Sequence, residues 1–144
     1  MMANPFASFN IEMPVRYREA ILKYCRTGGN KASAEFAPFE RQVDFWFAAF
    51  LLAVAKALAP VVEEDTYNAT PATILTTDSE RVGFLQLSVL GLTQDVRILG
   101  DPRKVFEYAQ RMAHAGIPYL IDILEDPDDR PIWALLTEFE SLAN

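Results

Sequence analysis

The longest uninterrupted apolar stretch of the chain, Phe45 to Ala55, constrains its fold more than any other feature. The stretch is 11 residues long, whereas a helix that crosses a bilayer needs about 20 apolar residues. Pro38 can open a helix and Pro60 stops one, so the pattern predicts a long helix over residues 38–58. Because this helix is apolar nearly all round, we expect it to be buried at the centre of a core, with an oligomer interface as the alternative.

Proline and helix-capping residues mark where further helices begin. Gly28 and Gly116 are predicted to end two of these helices, because glycine readily takes the left-handed conformation that closes a helix. The predicted starts are Pro14, Asp101-Pro102, Pro118 and Pro131.

Valine and leucine recur at alternating spacings of three and four between residues 82 and 99. That spacing predicts one more helix, while the alternation over residues 85–89 leaves a strand as the alternative. Together these patterns predict an all-α, single-domain helical bundle of about six helices around the long central one. Residues 1–13 show no period and are expected to form an irregular arm, and the length of 144 residues suits one domain.

The chain contains one cysteine, Cys25, and one histidine, His114. This count excludes an intrachain disulfide, a cysteine-based zinc site, an HExxH motif and a triad of two histidines and a carboxylate. We expect His114 to cap the end of its helix or to be solvated, because an acid–base role would need a carboxylate that only the fold could bring beside it. No secretory signal is evident, and a cytoplasmic location is expected.

Two acidic runs, Glu63-Glu64-Asp65 and Glu125 to Asp129, are the candidates for a divalent-cation site. The second run begins with the spacing of an EF-hand, but Pro131 stands where that loop needs glycine and Thr137 where it needs glutamate. Both runs are interpreted as solvated loops, so we expect no metal and no cofactor. A carboxylate- and metal-dependent enzyme is kept as the third hypothesis, and catalysis is not favoured.

The charge of the chain is unevenly distributed. The net charge is −7, yet residues 1–60 sum to +2 and residues 61–144 to −9. Basic residues interleaved with Tyr17 and Tyr24 form the candidate surface for nucleic acid or for a protein partner, since phosphates attract cations and bases stack on aromatic rings. The same surface could contact the acidic half of a second copy. The residues of this basic set are Arg16, Arg18, Lys23, Arg26 and Lys31.

Aromatic residues are numerous, 17 in 144 residues, and aromatic enrichment is typical of protein–protein interfaces as well as of helical cores. The candidates for an interface are Phe36, Phe39, Trp46 and Phe47. The leading hypothesis is therefore a non-catalytic interaction module, or accessory subunit of a larger bacterial assembly, that self-associates. The alternative is an accessory nucleic-acid-contacting protein that uses the basic set.

Three strings of the chain resemble small uncharacterised bacterial proteins encoded beside DNA-modification or phage-defence genes. They begin at Phe39 (FERQVDFWF), at Asp101 (DPRKV) and at Ala115 (AGIP). This resemblance is the reason for relating the nucleic-acid alternative to DNA modification or defence, and it implies no activity.

Overall fold

A computed structural model of the chain describes residues 4–26 and 32–142. Its described part is mostly helical, with one small two-stranded sheet. The α-helices are α1 (Arg18–Lys23), α2 (Gln42–Ala55), α3 (Ser79–Thr93), α4 (Pro102–Leu124) and α5 (Pro131–Leu142). The strands are β1 (Asn10–Pro14) and β2 (Thr66–Pro71), and the 3-10 segments are Val15–Tyr17, Ala72–Thr77 and Val96–Gly100.

The sheet corrects the prediction of a purely all-α fold with an irregular arm up to residue 13. β1 and β2 pair antiparallel, with Asn10 opposite Pro71 and a bulge between Ile11 and Glu12. Ile11 and Met13 are fully buried while Glu12 between them is half-buried, so the strand has the alternation typical of a half-buried edge. The signal was present in the sequence but spans too few residues to be distinguished from a loop.

Helix α2 forms the centre of the core, as the apolar stretch predicts, but it begins later than Pro38. The backbone of Phe39 instead pairs with the end of α1: its carbonyl accepts from the amide of Arg26 at 2.8 Å, and its amide donates to the carbonyl of Tyr24 at 3.2 Å. These bonds hold residues 38–40 out of the helix. The first helix is shorter than predicted, because Pro14 is the last residue of β1 and α1 ends at Lys23, where the amide of Tyr24 donates to the carbonyl of Ile21. Gly28, the predicted end of this helix, lies outside the described residues.

Helix α4 begins as predicted and ends much later than predicted. The Asp101 carboxylate accepts from the amide of Lys104 at 3.2 Å, and Pro102 follows it at the start of the helix. The helix then continues through Gly116 and Pro118 to Leu124, so the prediction of two separate helices is wrong. The reason is tertiary packing: α4 lies against α2 along most of its length, and this burial stabilises the helix in spite of Pro118.

Gly116 shows how closely the two central helices approach each other. A Cβ atom built on Gly116 would overlap the backbone carbonyl of Ala49 in α2. The glycine is therefore required for helix–helix packing and does not end a helix.

Residues 82–99 form a broken helix, and no strand occurs among them. α3 ends at Gln94, whose φ of 53° is left-handed and whose amide closes the helix on the carbonyl of Leu90 at 2.8 Å. A 3-10 segment follows, and the Asp95 carboxylate caps it by accepting from the amide of Arg97 at 3.1 Å. The helix breaks at Gln94, which lies between Gly91 and Gly100, because Gln94 itself adopts the left-handed conformation that ends a helix.

Candidate functional site

The basic set is partly neutralised by its own surroundings. Arg16 makes an ion pair with Glu63 at 2.6 Å. The hydrogen bond to Glu63 raises the pKa of the Arg16 guanidinium, although desolvation acts in the opposite direction. Arg18 lies over the ring of Tyr67, 4.8 Å from its centroid, and Lys23 lies over Tyr24 at 5.3 Å. Arg26 is exposed, and Lys31 lies outside the described residues.

The two tyrosines proposed to stack on bases are not available as a stacking surface. Tyr24 is 2% exposed and belongs to the core, and Tyr17 is half-buried beneath the Arg16 guanidinium, 4.6 Å from its ring centroid. Burial also raises the pKa of Tyr24. The basic set is thus a row of cations without exposed aromatic partners.

The aromatic interface candidates divide into core residues and surface residues. Trp46 is fully buried and stacks on Phe106 with ring centroids 6.1 Å apart, and Phe39 is buried against Phe45. These two are corrected to core residues, because a folded chain cannot present them to a partner. Phe47 is half-buried between α2 and α3, and Phe36 is half-exposed under the guanidinium of Arg130.

The described part of the structure gives neither the acidic runs nor Cys25 the surroundings of a metal site or of a reactive thiol. No group of three or more histidine, cysteine, aspartate or glutamate side chains that could hold a metal ion occurs within residues 4–26 and 32–142. Cys25 is fully buried, and burial raises the pKa of its thiol to about 12. A thiol with that pKa is protonated at neutral pH and is a poor nucleophile.

His114 is buried, contrary to the expectation of a surface position, and it acts together with Gln110 one turn earlier on α4. The amide of Glu12 in β1 donates to Gln110 Oε1 at 2.7 Å, and His114 Nε2 donates to the carbonyl of Glu12 at 2.8 Å. The two side chains therefore satisfy both backbone groups of Glu12 on the side of β1 away from β2. Unpaired strand edges are sites of unwanted association, and here α4 covers the edge.

The environment of His114 favours its neutral form. Burial lowers the pKa of the imidazole from its ordinary 6.5, against the opposing effects of the Glu12 carbonyl and of the Glu63 and Glu12 carboxylates. Sequence analysis could not find this pair, because its partner is a backbone 98 residues away from Gln110. The available signal was two polar residues four apart on an otherwise apolar helix face.

A pH dependence of stability follows from the position of His114. Its pKa is lower in the folded state than in the unfolded state, so the unfolded state binds more protons as the pH falls below about 6.5. We expect the melting temperature to fall between pH 7 and pH 5.5 by about 2–4 °C. The His114→Gln variant should lose this fall, because no other histidine is present. A melting temperature that rises or stays level over this interval in the natural chain would contradict the assignment.

The outer surface of α3 is an exposed apolar surface that the sequence analysis did not single out. No charged residue occurs between Arg81 and Asp95, so the greater part of the helix has no charged side chain to present to water. We call this surface the α3 face; its members are Phe84, Leu87, Ser88, Gly91 and Leu92. Leu87 is 69% exposed and Leu92 38% exposed, and a Cβ atom on Gly91 would meet nothing within 4 Å.

Comparisons with known proteins do not relate the chain to any of them: no family model, curated protein or solved structure is significantly similar to it. The helices within the described residues are all too short or too polar to cross a membrane. The fold is that of a mostly helical chain with one two-stranded sheet.

Proposed function

We propose that the protein is a non-catalytic interaction module that self-associates through the α3 face and serves as an accessory subunit of a larger bacterial assembly. The observation that carries this proposal is the charge-free outer surface of α3, with Leu87 and Phe84 69% and 43% exposed. Contiguous exposed apolar residues on a folded protein are typical of interaction sites.

The absence of charge on the α3 face is compatible with a second copy as its partner. Two chains of net charge −7 repel each other, and a charge-free surface allows them to meet without opposing like charges. Glu80 at the start of the face and Arg97 just beyond its end are both exposed, and Arg97 pairs with Asp95 of its own chain at 3.0 Å. An antiparallel pairing of two α3 helices about a twofold axis would bring Glu80 of one copy towards Arg97 of the other.

A charge placed at the centre of the α3 face tests the proposal. In the Leu87→Lys variant, two lysines would lie beside each other at the twofold axis, and like charges across an interface cost several kcal/mol. We expect the dissociation constant of the dimer to rise at least about 100-fold, measured by sedimentation velocity over a range of protein concentrations.

Leu136→Lys is the matched control for this experiment. Leu136 is also a partly exposed leucine on a helix, 43% exposed on α5, and it lies outside the α3 face. We expect this variant to dimerise like the natural chain. A natural chain that stays monomeric at all concentrations, or a control that dissociates as much as Leu87→Lys, would overturn the proposal.

Nucleic-acid contact through the basic set has weaker support than self-association. Arg16 is paired with Glu63, so fewer cations are free to contact phosphates. Tyr24 is buried, so its ring cannot stack on a base. The net charge of −7 also opposes approach to a polyanion. We therefore rank this function second.

A further inference from the structure

A polar groove runs along α4 where the helix faces β1 and the segment before β2. It consists of two cavities of about 250 and 230 Å³ that share Glu12, Glu107 and Gln110. We call the two together the α4 groove. Phe9, Phe106 and Arg103 line the first cavity, and Glu63, Arg111 and His114 line the second. These volumes lie below the range of drug-sized ligand sites and suit a small metabolite.

Two buried polar side chains of the α4 groove have hydrogen-bonding capacity left over. Gln110 is 8% exposed and His114 is 5% exposed. Each uses one atom on the backbone of Glu12: Gln110 its Oε1 and His114 its Nε2. The Gln110 amide nitrogen and His114 Nδ1 make no hydrogen bond to the described residues, although neither atom is sealed away from the surface. Buried side chains normally have such groups satisfied, so the groove offers one donor and one acceptor to a ligand.

The rim of the α4 groove carries charges of both signs that do not neutralise each other. Glu107 and Arg111 lie one turn apart on α4, and neither makes an ion pair with another described residue. Among residues 4–26 and 32–142, the Glu12 carboxylate accepts only from the uncharged Thr66 hydroxyl, at 3.2 Å. Glu63 differs, because Arg16 already pairs with it. Two carboxylates and one guanidinium are thus available in the second cavity.

We propose that the α4 groove binds a small zwitterion of the free amino acid class. The ligand's ammonium group would lie at the carboxylates of Glu107 and Glu12, and its carboxylate at the guanidinium of Arg111. Arginine and carboxylate match each other's geometry in a two-pronged hydrogen bond. A diamine would leave Arg111 facing a cation, and a phosphate would face two carboxylates, so neither matches the rim as well.

The binding experiment uses the full chain and a panel of L-amino acids, each at millimolar concentration. We expect at least one amino acid to raise the melting temperature in a concentration-dependent way, because a ligand that binds the folded state stabilises it. The amide of that amino acid, which lacks the carboxylate, and its N-acetyl derivative, which lacks the ammonium, should each bind at least about tenfold more weakly. Putrescine serves as the diamine probe and should not bind.

Substitutions on the exposed rim identify which residue meets which end of the ligand. Arg111→Gln should weaken binding of the amino acid at least about tenfold and should leave binding of its amide unchanged. Glu107→Gln should also weaken binding of the amino acid at least about tenfold, and it should leave binding of the N-acetyl derivative unchanged. Lys104→Gln is the control, since Lys104 is an exposed residue of α4 that lines neither cavity.

Three results would overturn the proposal: no melting shift with any amino acid, a shift with putrescine as large as with the amino acids, or equal losses for Arg111→Gln and Lys104→Gln. None of them depends on self-association through the α3 face. Repeating the titration on the Leu87→Lys chain separates the two proposals.

Discussion

Replacing Gly116 by alanine is expected to destabilise the protein by about 2–3 kcal/mol, the upper part of the usual range of about 1–3 kcal/mol for forcing an extra group into a packed core. The new Cβ would overlap the backbone carbonyl of Ala49, and a backbone atom cannot move aside as a flexible side chain can. α2 and α4 would therefore have to separate where most of the core is formed. Urea denaturation followed by circular dichroism measures the free energy of unfolding.

Gly83→Ala is the control for this prediction. Gly83 also lies inside a helix, but a Cβ atom on it would meet nothing within 4 Å. Alanine at such a position is expected to stabilise the chain by about 0.5–1 kcal/mol, because glycine has the lower helix propensity. The assigned role of Gly116 is wrong if both variants change the free energy of unfolding in the same direction.

Replacing Asp44 by asparagine is the second change with a large expected effect. The Asp44 carboxylate accepts from Arg41 at 3.0 Å and from Arg81 at 2.8 Å, and it also accepts from the Arg41 backbone amide at the start of α2. Asparagine would leave two partly buried guanidinium groups with less negative charge between them. We expect a loss of about 2 kcal/mol, at the lower end for buried charged groups because solvent still reaches these residues.

Acid should remove the contribution of Asp44. Burial alone would raise the pKa of Asp44, but the hydrogen bonds from Arg41 and Arg81 outweigh burial and lower the pKa below 3.8. A carboxylate with a lowered pKa in the folded state stabilises above its unfolded pKa, and the stabilisation is lost as the pH falls through the folded value. The natural chain and Asp44→Asn should therefore differ most near neutral pH and converge in strong acid.

Glu35→Gln provides the comparison for Asp44→Asn, since it makes the same change of carboxylate to amide. Glu35 pairs with Arg130 at 2.6 Å, but both side chains are about half-exposed. Exposed ion pairs contribute about 0–1 kcal/mol, so this variant should unfold almost like the natural chain. Equal losses of unfolding free energy in the two variants would show that the ion pairs of Asp44 with Arg41 and Arg81 stabilise the fold no more than an exposed ion pair does.

The location of the core and the starts of α4 and α5 could be predicted from the sequence. The apolar stretch from Phe45 to Ala55 lies in α2, and the aspartate and prolines before α4 and α5 mark where those helices begin. These signals are local, because a cap or a period is decided by residues within one or two turns of each other.

The candidate sites could be predicted only in part. Charge and residue type identified the basic set, but Trp46 and Phe39 proved to be core residues. The α3 face was visible in the sequence as the absence of charge between Arg81 and Asp95. Which side of α3 is exposed depends on how the helix packs against the rest of the chain, and the sequence does not show this packing.

The sequence alone determined that the described chain is mostly helical, that α2 is its centre, and that disulfides and familiar metal motifs are excluded. The tertiary structure decided the pairing of β1 with β2, the continuation of α4 through Gly116 and Pro118, and the bonds of His114 and Gln110 to Glu12. Each of these depends on contacts between residues distant in sequence. Helix periods and caps are encoded locally, whereas burial against a distant segment can override a local stop signal and gives polar residues their partners.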